Sequence, residues 1–246
     1  MLLAVDIGNS RTKFGVFDGN SLLSKWSIPT RDLGSPHPGV DGDLRGQISS
    51  AIACSVVPSV EPGVASYVKD NFDVETRVAR NTDDLGITIC HQPIGAIGTD
   101  RVIGSVFAAE KFGTPCIVIS FGTATTIDVV NERRELMGGL IAAGIATSAK
   151  TLALNTAKLP EVEIVRPDGP MNVTTETAIQ AGLFYSQVGL VETVVDRISK
   201  EVSGATVIAT GGFAALIAAA CRSIDVIEDD LVLNGLNHIW QGGQQQ

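Results

Sequence analysis

Aromatic residues, histidines and cysteines are all scarce in this chain, and it has no basic stretch. Only three of 246 residues are His, none near another, so neither a metal centre nor His-based catalysis is expected. The four cysteines (Cys54, Cys90, Cys116 and Cys221) form no C-x-x-C pair. That excludes a thiol-redox motif, and all four are expected as small buried hydrophobes. The net charge is −9 with no Lys/Arg-rich run, which argues against nonspecific nucleic-acid binding, since that rests on neutralising phosphates. It leaves room for a small anion held by backbone amides. No apolar run has the length and purity of a membrane span,. The chain enters its first strand without a basic leader, so a cytoplasmic protein with no membrane partner is expected.

Hydrophobic residues are plentiful at 44%, and glycine occurs 26 times. That combination fits an α/β protein with a sizeable core and many tight strand–helix turns. The most informative feature is a pattern that occurs twice. Leu3-Ala4-Val5-Asp6-Ile7-Gly8-Asn9-Ser10 runs into Phe14-Gly15-Val16-Phe17, and Ile117-Val118-Ile119-Ser120-Phe121-Gly122-Thr123-Ala124-Thr125 runs into Ile127-Asp128-Val129-Val130. Each copy reads as a strand, a turn of Gly with small polar residues, and a second strand. Such a turn presents N–H groups and hydroxyls with little bulk, which lets a polyphosphate approach the main chain. Two copies point to a duplicated nucleotide clamp.

The organisation repeats with the pattern. Strands are expected at Leu2–Val5, Thr12–Phe17 and Ser21–Ser27, followed by a loop over Thr30–Gly42, a strand at Ala51–Val57 and a helix from Pro58 to Lys69. Short strands near Glu75–Val78 and Ile87–Cys90, a loop at Gln92–Gly98 and a helix at Arg101–Lys111 complete the first lobe. Gly113-Thr114-Pro115 marks the boundary, giving lobes at 1–113 and 114–246. The second lobe repeats the three-strand opening, its third strand at Leu136–Ala142. Helices are then expected at Ala146–Thr156, Thr175–Val202 and Phe213–Cys221, with a strand at Thr206–Ala209 and a frayed tail at Gln241–Gln246. On the long helix, Ile179, Leu183, Val188, Leu190, Val194 and Ile198 would form a buried stripe.

Further motifs stand in a fixed order: Ser55-Val56-Val57-Pro58, Gly98-Thr99-Asp100-Arg101, Gly138-Gly139-Leu140-Ile141-Ala142-Ala143-Gly144, Leu159-Pro160, Thr175 with Ala178-Ile179-Gln180-Ala181-Gly182, Thr210-Gly211-Gly212 and Leu231-Val232-Leu233-Asn234-Gly235-Leu236. Together with the two hairpins they strongly resemble the type III pantothenate kinase family, a branch of the acetate and sugar kinase/actin-like ATPase superfamily. The resemblance covers nearly the whole chain. It implies an α/β fold of two duplicated actin-like (ribonuclease H-like) lobes with the active site in the cleft between them. It also implies ATP-dependent phosphorylation of pantothenate to 4'-phosphopantothenate, which opens coenzyme A biosynthesis. A homodimer, Mg2+ carried with ATP, and a monovalent cation such as K+ or NH4+ belong to the same expectation.

Carried onto this sequence, the resemblance makes Asp100 the general base, although Asp before a helix is also a preferred cap. Phosphoryl transfer needs little more than a group that orients the nucleophile and takes its proton. Gly98, Thr99, Arg101, Thr175 and His91 would bind the substrate; Arg suits a carboxylate, and Thr175 could equally cap its helix. Asp6, Ile7, Gly8, Asn9, Ser10, Arg11, Thr12 and Lys13, with Thr123, Gly211 and Gly212, would bind ATP. Asp6 would lie near Mg2+, though Asp is also a common turn former. The main departure is Ser120, where the family carries an aspartate associated with the monovalent cation. A neutral hydroxyl is a poorer ligand for a hard cation, so K+ dependence should be weakened or absent, or the cation held differently, with a drop in activity as the other outcome. Ala143 for Pro and Thr174 for Asn are smaller departures. A nucleotide- or pantothenate-binding regulator, or a kinase for another small hydroxy acid, are the rival readings.

Overall fold

The computed structural model describes residues 1–33 and 42–243. The chain forms two compact units, Met1–Phe107 with Asp230–Gln246, and Ala108–Asp229. The first unit begins with β1 (Leu2–Ile7), β2 (Arg11–Asp18) and β3 (Ser21–Pro29). A 3-10 turn at Thr30–Asp32, the one-turn helix α1 (Gly42–Arg45) and β4 (Ser50–Ser55) follow. The expected prolines of the 30–42 loop, Pro36 and Pro38, lie outside the described residues. Pro58 opens a 3-10 turn, Pro58–Val60, and α2 starts after it, at Glu61–Phe72. Then come β5 (Thr76–Val78), β6 (Thr88–Ile89), a 3-10 turn at Ile94–Ala96 and α3 (Thr99–Phe112).

The second unit holds β7 (Cys116–Phe121), β8 (Ala124–Val130), β9 (Glu135–Ala143), α4 (Ile145–Asn155), α5 (Thr175–Ile198), β10 (Thr206–Thr210), α6 (Ala214–Ala218) and β11 (Val226–Ile227); α7 (Leu231–Gly243) closes the chain. α6 is shorter than the expected Phe213–Cys221. The expected frayed tail is helical through Gly243, and the remaining residues are outside those described.

Strand order shows the duplication directly. The first sheet runs β3-β2-β1-β4-β5, and the second unit's strands run β9-β8-β7-β10-β11. In each, the opening three strands are antiparallel and the next two join the first in parallel. β1 is buried along its whole length, which is why it reads as an apolar run rather than an alternation. Leu3, Val5 and Ile7 meet Val64, Val68 and Phe72 of α2 on one face, and Leu2 and Ala4 meet Ile103, Leu233 and Leu236 on the other. This packing places α7 with the first unit, and Lys25 Nζ pairs with Asp230 Oδ2 at 2.8 Å at its start. The division expected at Gly113 put all of 114–246 in one lobe; the compact units divide inside α3 and return the last helix to the first sheet.

In the second unit Ile117, Ile119, Phe121 and Ile127 pack on Leu183, Phe184, Val191 and Val195 of α5. The expected stripe on this helix is therefore rotated. Of its six members only Leu183 is fully buried, with Ile179, Val188, Val194 and Ile198 flanking the core. Three cysteines are buried as expected, but Cys90 is exposed, because it follows the short β6 at the surface. No helix among the described residues is long and apolar enough to cross a membrane.

Because Leu183 is 5% exposed inside this core, Leu183→Ala should lower stability by about 2–5 kcal/mol in urea denaturation. A charged residue there should unfold the second unit. A stability within error of the native chain would show that the packing at Leu183 is not what holds α5.

Candidate active site

In the first unit the glycine turn between β1 and β2 is braced from below. Gly8 N–H donates to Arg11 O at 3.1 Å, and Thr30 N–H donates to Ser10 O at 3.1 Å. The Thr30 hydroxyl donates to Gly8 O at 2.7 Å and lies 3.2 Å from the Thr12 hydroxyl. Thr30 carries no motif signature, so nothing in the sequence singles it out. The bracing uses up several residues of the expected nucleotide run. Ile7 is in the core, Thr12 is buried on Thr30, and the Arg11 guanidinium binds Ser27 Oγ and O. Asn9 and Ser10 are exposed and Gly8 is half-buried, so the turn itself faces solvent.

One residue before the turn, Asp6 is only 7% exposed. Strand pairing puts Lys13 opposite it on β2 and Cys54 beside it on β4. Lys13 Nζ lies 3.8 Å from Asp6 Oδ2, and Cys54 Sγ lies 3.8 Å from Oδ1. Burial pushes the Asp6 carboxyl up to about 6; Lys13 opposes the rise and the nearby Asp100 adds to it. The Asp100 carboxyl is also raised by burial, against the pull of the Arg101 N–H and charge. Burial holds the Cys54 thiol far above its usual range, so it is a packing group rather than a nucleophile.

Asp100 is not the cap of its helix. α3 begins at Thr99, and the Asp100 Oδ1 accepts from the very next N–H, that of Arg101, at 2.8 Å. This keeps the carboxylate folded back at the helix start. A Cβ on Gly98 would stand 2.5 Å from that oxygen and 3.2 Å from Val56 Cγ1, so only glycine leaves the carboxylate its place. The segment before it is held by Asn81, whose Nδ2 donates to Ile97 O at 2.7 Å and Ile94 O at 3.3 Å; nothing in the sequence marks that role. Thr99 is buried, Arg101 is half-buried, and His91 is half-buried just after β6. The fold thus brings Asp6, Lys13 and Asp100 into one electrostatic group from separate stretches of sequence.

The second unit carries the corresponding hairpin. Thr123 is exposed at the turn, and its carbonyl accepts from Gly144 N–H at 3.1 Å and Thr147 Oγ1 at 2.6 Å. Gly211 has φ +97°, and a Cβ there would stand 2.5 Å from Phe121 O, so the β10–α6 turn lies directly against the end of β7. Gly212, next to it, is exposed. Thr175 does not cap α5: the cap is Thr174, whose Oγ1 accepts from Thr177 N–H at 3.2 Å. Thr and Asn are both good caps, which accounts for the Thr174 departure and leaves Thr175 as an exposed first helical residue.

Ser120 sits opposite Thr126 on β8 and beside Thr210 on β10. The Thr126 hydroxyl is buried without a partner, while Thr210 Oγ1 donates to Asp229 O at 3.4 Å. This row offers neutral hydroxyls where the family has a carboxylate, a poor fit to a hard monovalent cation. Among the described residues no group of three or more His, Cys, Asp or Glu side chains could hold a metal ion. For magnesium carried by a nucleotide, Asp6 is a suitable carboxylate at the foot of the glycine turn.

The duplicated sheets and paired glycine hairpins define a member of the sugar kinase and actin-like ATPase fold class. Solved structures agree at the level of fold. One from Campylobacter jejuni, assigned to the Baf family of transcriptional activators, superimposes with a TM-score of 0.65 at 18% identity, covering 99% of this chain and 100% of that one. A protein from Sinorhizobium meliloti, assigned as a 2-dehydro-3-deoxygalactonokinase, gives 0.61 at 15% identity over 98% and 96%. Sequence comparison is more specific. The family model for type III pantothenate kinase matches residues 2–197. Type III pantothenate kinases from Dehalococcoides mccartyi and Agathobacter rectalis are 36% and 35% identical, over 98% of this chain and 95% and 97% of theirs. The chain belongs to the type III pantothenate kinase family.

The raised Asp6 carboxyl gives a signed test. Folding favours its protonated form, so its contribution to stability is present below about pH 4 and is lost as pH rises through about 6,. Asp6→Asn removes that loss. Relative to the native chain, the variant should gain on the order of 3 kcal/mol between about pH 4 and about pH 7, read from urea denaturation at each pH. An unchanged difference would mean that Asp6 titrates as an exposed carboxylate.

Proposed function

We propose that this chain transfers the γ-phosphoryl group of ATP to the terminal hydroxyl of pantothenate, giving 4'-phosphopantothenate and ADP at the start of coenzyme A biosynthesis. Family membership over essentially the full length supports the substrate pair. The observation that carries the chemistry is the Gly98-Thr99-Asp100-Arg101 segment, whose carboxylate is fixed at the start of α3. Asp100 accepts the hydroxyl proton as the oxygen attacks phosphorus. Burial has moved its carboxyl towards neutrality, which improves a carboxylate as a base at physiological pH. Arg101, Thr99, Thr175 and His91 contact pantothenate in this reading, Arg101 through its carboxylate.

Asn9 and Ser10 offer backbone N–H groups and the Ser10 hydroxyl to phosphate, Gly8 leaves room for its approach, and Lys13 adds charge; Thr123, Gly211 and Gly212 contact the nucleotide. Bound magnesium would neutralise charge developing on the phosphates, and Asp6 is the residue that would hold it. The neutral Ser120, Thr126 and Thr210 row supports a kinase with little or no dependence on K+ or NH4+. A homodimer belongs to the same reading. A nonenzymatic nucleotide- or pantothenate-binding role has one specific observation in its favour, the missing carboxylate at Ser120.

The test is ADP release with ATP, Mg2+ and pantothenate, with and without K+. Turnover should require pantothenate and change little with K+, and Asp100→Asn should lose roughly 10²- to 10⁴-fold in kcat. Turnover only with another hydroxy acid would reassign the acceptor. No turnover with any acceptor, but retained ligand binding, would favour the regulator.

A further inference from the structure

One polar side chain in the second unit's core has no part in the mechanism above. Gln187 of α5 is 4% exposed and lies on the helix face that carries Phe184, Val191 and Val195. An amide in such surroundings costs free energy unless both its ends are bonded. Here both are. Gln187 Nε2 donates to Ala143 O at 3.3 Å, and Oε1 accepts from Thr125 Oγ1 at 2.6 Å. The orientation is fixed by chemistry: a carbonyl can only accept, so the amide nitrogen must face Ala143 and the oxygen must face Thr125.

The two partners give the clamp its place. Thr125 is buried on β8, two residues beyond Thr123. Ala143 ends β9 and directly precedes Gly144, whose N–H donates to Thr123 O. Thr125 and Ala142 are cross-strand neighbours, so the amide bridges β8 and β9 at the end of the sheet where the two turns meet. Thr147, in the first turn of α4, donates to the same Thr123 carbonyl. Thr123 is thus fixed from three sides, by its own hairpin, by Gly144 and by Thr147, and Gln187 locks the base of that arrangement. Ala143 stands where the family resemblance expects proline, so this turn lacks a ring to stiffen it.

We infer that Gln187 is a positioning residue that sets nucleotide affinity by holding the Gly122-Thr123 turn against Gly144. This rests on the proposal that Thr123 contacts the nucleotide. An interaction that positions a binding turn without touching the reacting atoms changes KM more than kcat.

The experiment uses the full chain with Gln187→Met, which keeps shape but removes both bonds, and Thr125→Val, which removes only the hydroxyl. Both should raise KM for ATP, and the Kd of a nonhydrolysable ATP analogue, about tenfold. KM for pantothenate and kcat at saturating ATP should stay within about twofold. The double variant should be no worse than the poorer single one, because both act through one clamp. Lower thermal stability with unchanged nucleotide KM and Kd would leave Gln187 purely structural and overturn the inference, as would equal rises in both substrate KM values. If the native chain releases no ADP with pantothenate, the kinase reading falls, yet the analogue Kd still decides the role of Gln187. A native chain that does not bind the analogue overturns both. Should Gln187→Met fail to fold, Thr125→Val alone separates the same outcomes.

Discussion

Two carboxylates share a buried neighbourhood with a single ammonium group, and the rest of the first unit's site depends on how that neighbourhood is built. Asp6 is taken below the surface by β1, a strand with apolar neighbours on both faces. Removing a carboxylate from water is costly, and one Lys at 3.8 Å compensates only in part,. The imbalance appears as an Asp6 carboxyl titrating at about 6. The core does not gain from this arrangement. Such strain is kept where a buried charge has a task, and in the proposed kinase that task is to meet the magnesium ion that arrives with the nucleotide.

Rigidity around the turns follows from the same demand. Backbone amides bind phosphate well only if they already point at it, because ordering a loose loop consumes binding energy. In the first unit Thr30 braces the turn through the Gly8 and Ser10 carbonyls. In the second, Gly144 and Thr147 converge on Thr123 O, with Gln187 beneath them. The duplicated hairpins therefore solve one problem with different residues. Their strand order is the same, but the side chains that stiffen them are not related by the repeat.

Much of the site is legible in the sequence. Gly8, Gly98 and Gly211 leave a visible signature because a Cβ at each would crowd a neighbouring atom, and Asp6, Asp100 and Thr123 are legible because they stand in the same short motifs. Thr30, Asn81 and Gln187 leave none. Each acts through two or three hydrogen bonds onto groups distant in sequence, and any hydroxyl or amide residue in a loop or helix looks the same until the chain is folded. The α5 stripe departs from expectation for a related reason. Periodicity marks an amphipathic helix, but Leu190 and Val194 lie to the side of the face that meets β7, and a small residue, Ala181, and an amide, Gln187, take central positions on it.

By itself the sequence determined the class of local elements, the duplication and the family, since these follow from strand runs, glycine turns and the order of motifs along the chain. Only the tertiary structure decided that the last helix belongs to the first sheet, that Thr174 rather than Thr175 caps α5, and that burial pushes the Asp6 carboxyl up to about 6. Those outcomes depend on which groups become neighbours and how much water is left around them. Burial and proximity are properties of the folded chain, and no window of sequence contains them.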